Sequence, residues 1–149
     1  MKHKTIGKLC LLLCVLLSGV AIDAQNPENW KKDQLVQPAD LAKTVQAGKD
    51  LPVIFSVGPS AYIPTSVDVG MTKQQANLDK LKEQLKKLPK DTKIVIYCGC
   101  CPFDHCPNVR PAIQVLKDMK FTHYKLLNLE HNIKTDWIDK GYPVLKIEN

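Results

Sequence analysis

Lys93-Ile94-Val95-Ile96-Tyr97-Cys98-Gly99-Cys100-Cys101-Pro102-Phe103-Asp104-His105-Cys106-Pro107-Asn108-Val109-Arg110 is the stretch from which the rest of the chain is read. Its first five residues form a short apolar, β-branched run that ends at a cysteine, the pattern of a buried strand. Beyond it Val109, Ala112, Ile113 and Leu116 recur at helical spacing, so a helix begins near Pro107 or Val109. The unit is strand, thiol-rich loop, helix. Such a loop points backbone N–H groups and the positive end of a helix dipole at whatever sits in it, which favours thiolates and anions.

Working outward, the flanks alternate in the same way. Leu35 and Val36 make a short strand, Pro38 opens a helix that stops at Gly48, and Pro52 to Val57 is a second strand. After a proline-containing loop, Val67 to Val69 is extended. Thr72 and Gln75 suggest a capping box for a helix whose apolar stripe is Leu78, Leu81, Leu85 and Leu88, closed by Pro89. That stripe reads as packing, and the lysine-rich opposite face as a solvated surface. Phe121 to Leu127 gives a last strand, and Asn132 to Lys140 a short helix with Trp137 and Ile138 facing in. Strands alternating with helices predict an α/β domain with a parallel sheet covered on both faces. Its expected core is Leu41, Val53, Ile54, Leu81, Leu85, Ile94, Ile96, Ile113, Leu116 and Trp137. Ligands in such sheets bind beyond the carboxyl ends of the strands, where Cys98 falls.

The 149 residues, 44% of them hydrophobic, suit one compact domain. Lys2, Lys4 and Lys8 precede an almost wholly apolar run from Leu9 to Val20, too short for a membrane span and of the length of a secretory h-region. The division expected is a signal peptide over 1–24, a linker over 25–32 and the domain over 33–149. Cys10 and Cys14 each follow a leucine, which disfavours lipid attachment. A periplasmic or secreted protein with no stable membrane insertion after cleavage follows. Of the formal charge of +6, the first 24 residues carry +2. The remaining excess is scattered over helix faces, with no basic run interleaved with aromatics, so no nucleic-acid partner is expected.

Export would let Cys98, Cys100, Cys101 and Cys106 pair as a structural staple. All four lie within nine residues, however, and a disulfide closing so small a loop removes little entropy from the unfolded chain. Clustering points to chemistry. Cys98, at a strand end before a helix, is the expected nucleophile, its thiolate favoured by the dipole and by Arg110 or His105 if either reaches it. Asp104 reads as a turn residue rather than a base. Cys106, Cys100 or Cys101 is a candidate resolving thiol, and the four thiols with His105 offer a soft-metal alternative, Cu(I) or Zn.

The chain resembles the rhodanese-like domains. The matching features are Leu41 to Gly48 before the Pro52–Val57 strand, Tyr62-Ile63-Pro64 where the family has His-Ile-Pro-Gly-Ala, the Ile94-Val95-Ile96-Tyr97-Cys98 strand, and Trp137 followed by Gly141-Tyr142-Pro143-Val144. The resemblance implies a three-layer fold with a five-stranded, mostly parallel sheet, and a cysteine that carries sulfane sulfur as a persulfide. Carried over, Cys98 is the catalytic cysteine. Arg110, Gly99, Cys100, Cys101 and His105 would bind a small sulfur-containing anion, Cys106 would serve as resolving thiol, a thiol would act as acceptor, and neither a metal nor a cofactor is needed. Three features depart from the pattern. Ser56-Val57-Gly58 stands where many members have Asp-Val-Arg, Tyr62 replaces a histidine, and Cys98 and Arg110 are twelve positions apart instead of a handful. The rival function is a thiol-redox or soft-metal-binding module.

Overall fold

The computed structural model describes residues 30–145; the expected signal peptide and the first part of the linker lie outside the described residues. The strands are β1 (Leu35–Val36), β2 (Val53–Ser56), β3 (Val67–Asp68), β4 (Ile94–Tyr97) and β5 (Tyr124–Leu127). Helices α1 (Pro38–Ala47), α2 (Gln75–Leu85) and α3 (Val109–Asp118) connect them, and a π-helical turn spans Lys134–Ile138. The five strands form one sheet in the order β1-β5-β4-β2-β3, every pairing parallel. This is the parallel α/β sheet flanked by helices that the resemblance implies.

β4 is the centre of the sheet, and its two-residue alternation sorts the core into two layers. Ile94, Ile96 and Cys98 face one way, joining Phe55, Val57, Leu81, Leu85, Ala112, Ile113 and Leu116 under α2 and α3. Val95 and Tyr97 face the other way, with Ile54, Leu41, Ala42, Leu127 and Trp137 under α1 and the π-turn. A residue on β4 therefore chooses its helix by parity, and Cys98 falls on the side of α3.

Local expectations fail where tertiary contacts intervene. No Thr72–Gln75 capping box forms: α2 starts at Gln75 with Gln74 as an N-cap that makes no side-chain bond. Thr72 is instead buried, and its hydroxyl donates to the carbonyl of Asn108. Ile138 does not face in; it is 36% exposed. On so short a turn adjacent side chains diverge, and Trp137 holds the inward position because its Nε1 donates to Pro143 O at 2.7 Å and its ring meets Tyr142 edge-on. The strand expected from Phe121 begins at Tyr124, since Lys120, with φ of 63°, turns the chain and buries Phe121 beneath α3. Val53, at the strand start, is only half-buried. Trp30, in the stretch read as linker, packs against the core.

Candidate functional site

Cys98 follows β4 directly, so its thiol stands at the carboxyl edge of the sheet's central strand. Gly99 turns the chain away with φ of 89°, a conformation open to glycine at no steric cost. The loop is then fastened at two points to the segment after β5: Ile133 N donates to Gly99 O at 2.9 Å and Phe103 N to Leu129 O at 3.0 Å. A 3-10 turn over Phe103–His105 brings the chain back, and Cys106 returns to the same core layer as Cys98 before α3 begins.

This path gathers the four cysteines. All four are free thiols, and their sulfur atoms lie within 4.8 Å of one another. Cys98 Sγ is 3.2 Å from Cys100 Sγ, which is 3.4 Å from Cys101 Sγ. Cys98 and Cys106 are buried, Cys101 is half-buried and Cys100 is exposed.

Cys98, Cys100 and Cys106 influence one another's titration. A hydrogen bond from Cys106 is the main influence lowering Cys98 from 9.0 to about 5; burial opposes it, and the backbone N–H of Cys100, the Asn108 amide and the Cys100 thiol add to the lowering. The converse holds for the donors. Burial first, and then the bond to Cys98, push Cys100 up to about 12. Cys106 is pushed far up, first by its bond to Cys98 and then by burial. The negative charge is thus favoured on Cys98, with Cys100 and Cys106 held protonated beside it.

Asn108 was not legible as a site residue. It is the N-cap of α3 and is buried, with Nδ2 donating to Cys98 Sγ at 3.4 Å. Its Oδ1 accepts Lys73 N at 3.1 Å and its carbonyl accepts the Thr72 hydroxyl, so the segment before α2 fixes the amide that faces the thiolate. The helix terminus does reach Cys98, through this side chain. A polar residue between Pro107 and an apolar helical pattern was the available signal.

Arg110 and His105 both contact Asp104. Arg110 Nη2 donates to Asp104 O at 3.1 Å, and His105 Nδ1 lies 2.7 Å from Asp104 Oδ1. Both side chains are turned toward Asp104, which sits in the 3-10 turn, and the lowered Cys98 owes its support to thiol, amide and backbone donors.

Gly58 explains a departure from the family pattern. A Cβ there would lie 2.0 Å from Cys98 O and 3.0 Å from Cys98 Sγ. The position that carries arginine in many rhodanese-like domains is here in direct contact with the Cys98 backbone, which leaves room for no side chain. Beside it, Tyr97 organises the preceding loop. Its buried hydroxyl accepts Tyr62 N at 2.9 Å and Ile63 N at 3.3 Å, and lies 3.2 Å from Ser66 Oγ. A cavity of about 540 Å³ opens at the opposite edge, among Asp33, Asp40, Asp50, Lys93 and His123, and no thiol lines it.

Two solved structures share the fold. The rhodanese-like domain of an Anabaena protein, determined by solution NMR, aligns with a TM-score of 0.54 and 16% identity over 76% of this chain and 80% of that one. A rhodanese-related protein from Thermoplasma volcanium aligns with a TM-score of 0.50 and 20% identity over 75% of this chain and 97% of that one. No protein-family profile matches the sequence, and no curated protein matches it. The chain thus shares the fold of these rhodanese-like structures, and its loop after β4 carries four clustered thiols.

Proposed function

We propose that the protein is an exported sulfurtransferase that takes sulfane sulfur from thiosulfate or a persulfide donor onto Cys98 and yields it to a thiol or cyanide. The observation that carries this reading is the set of hydrogen bonds on Cys98 Sγ at the carboxyl edge of β4, which keep it ionised at neutral pH. A thiolate is the form that attacks sulfur. In the reaction the Cys98 sulfur bonds to the outer sulfur of thiosulfate, the S–S bond of the donor breaks, and sulfite leaves with its electron pair. The terminal persulfide that results is stabilised by the same donors, Cys100 N–H and Asn108 Nδ2.

Cys98 is only 3% exposed, so a donor as large as thiosulfate reaches it only when the 99–106 loop parts. Cys100, exposed and 3.2 Å away, is better placed than buried Cys106 to carry sulfur outward. Its sulfur bonds to the outer persulfide sulfur, its proton goes to solvent, and Cys98 leaves as the thiolate that began the cycle. Gly99, Cys101, Arg110 and His105 are the further residues assigned to binding the sulfur-containing anion. The partners are small sulfur anions and acceptor thiols, with no nucleic acid and no lasting membrane insertion.

The test is thiocyanate formation from thiosulfate and cyanide. Wild-type protein is expected to turn over and Cys98→Ser to lose all turnover above the uncatalysed rate. Turnover that persists in Cys98→Ser, or is absent from the reduced wild type, would overturn the assignment.

A further inference from the structure

We propose that Cys98, Cys100, Cys101 and Cys106 together form a tetrathiolate site for one thiophilic d10 cation of the zinc(II) type. A tetrahedral cation with metal–sulfur bonds of about 2.3 Å holds its sulfur ligands about 3.8 Å apart. The four sulfurs here already lie within 4.8 Å of one another, Cys98 and Cys100 at 3.2 Å and Cys100 and Cys101 at 3.4 Å. Small side-chain rotations about a fixed backbone convert the one arrangement into the other. The donor set contains no carboxylate, which selects a soft cation over magnesium or calcium.

The scaffold suits this use in three further ways. Cys98 and Cys106 come from rigid positions, a strand end and the approach to a helix, and are buried in one core layer. Cys100 is exposed and Cys101 half-buried, which gives a cation its path of entry on the Cys100 side. Asn108 donates to Cys98 Sγ and is itself held by Thr72 and Lys73, the kind of supporting hydrogen bond that fixes the orientation of a ligating atom. The loop between the ligands is tied by backbone bonds to Leu129 and Ile133.

As the cation binds, the protonated thiols release their protons to solvent and four metal–sulfur bonds form; no electron changes hands. The Cys98 electron pair that would attack a sulfane sulfur is then committed to the metal. Metal occupancy and sulfur transfer exclude one another at this site. That consequence rests on the sulfurtransferase reading, whereas the site itself does not.

The experiment uses the full chain with Cys10→Ser and Cys14→Ser, so that the cluster supplies every thiol, reduced and titrated with cobalt(II) and then zinc(II). The expected result is about one equivalent of cobalt with the intense visible bands of a tetrahedral thiolate complex, displaced by zinc. Adding Cys100→Ser, at an exposed position where circular dichroism can verify the fold, is expected to weaken binding by more than about 100-fold. Adding Asn108→Ala is expected to weaken it by about 10-fold. An octahedral cobalt spectrum, or affinity unchanged by Cys100→Ser, would overturn the site. The mass of metal-free protein after thiosulfate treatment reads the other proposal separately: sulfur gain without metal binding sinks the metal site alone, and metal binding without sulfur gain sinks the sulfurtransferase alone.

Discussion

Replacing Gly58 by alanine tests how closely the ends of β2 and β4 approach. The added Cβ would sit 2.0 Å from Cys98 O, where an ordinary contact begins at 3.4 Å, so the two backbones must separate by about 1.4 Å. They are not free to do so: Val57 N donates to Tyr97 O at 2.8 Å one residue earlier, and Phe55 and Ile96 are paired in register between them. Overpacking of this kind costs about 3 kcal/mol, the upper end of the usual range, because backbone rather than a flexible side chain must yield. With a urea slope of about 2 kcal/mol/M, the unfolding midpoint should fall by about 1.5 M. The sign is diagnostic, since a glycine-to-alanine change in open, unstrained backbone stabilises by about 0.4–1 kcal/mol through the unfolded state. Gly48→Ala supplies the comparison: a Cβ there meets nothing within 4 Å, and only its left-handed φ of 63° opposes the change, at about 1 kcal/mol. Far-UV circular dichroism in urea under reducing conditions measures both. A Gly58→Ala midpoint within about 0.25 M of wild type would refute the close approach and the reason given for the missing arginine.

Tyr97→Phe leaves the N–H groups of Tyr62 and Ile63 without their acceptor and should cost about 2 kcal/mol in the same urea assay. Asn108→Ala should raise the Cys98 pKa, read from the ultraviolet absorbance of the thiolate, because one of its lowering hydrogen bonds is removed; an unmoved titration would remove Asn108 from the site. The pH profile of Cys98 alkylation follows the same logic. A group held at about 5 instead of 9.0 stays ionised as pH falls from 9 through 6 and loses half its reactivity only near pH 5. A profile that already declines below pH 9 would mean that the donors do not act on Cys98.

The sheet was legible because its strands obey simple rules: Ile94 to Tyr97 is an unbroken apolar run, and its parity sends Cys98 toward α3. The gathering of the thiols was legible as proximity in sequence. What escaped notice depends on contacts between distant segments. Thr72 looks like a helix cap and is taken instead by the Asn108 carbonyl, 36 residues away. Asn108 itself has an ordinary cap residue's identity, and only the fold shows that its amide faces a thiol. Arg110 and His105 were read as candidate supports for Cys98, and the contacts they make are with Asp104, Arg110 with its backbone carbonyl and His105 with its carboxylate. Gly58 reads as a lost arginine until the neighbouring Cys98 backbone is seen to fill its place.

The most direct test of Cys98 as a sulfur carrier is the intact mass of the reduced, metal-free protein after incubation with thiosulfate, with peptide mapping of the modified residue. The result expected is a gain of one sulfur atom, located on Cys98 or Cys100, reversed by cyanide and lost in Cys98→Ser. An unchanged mass in the wild type, or an equal gain in Cys98→Ser, would contradict it.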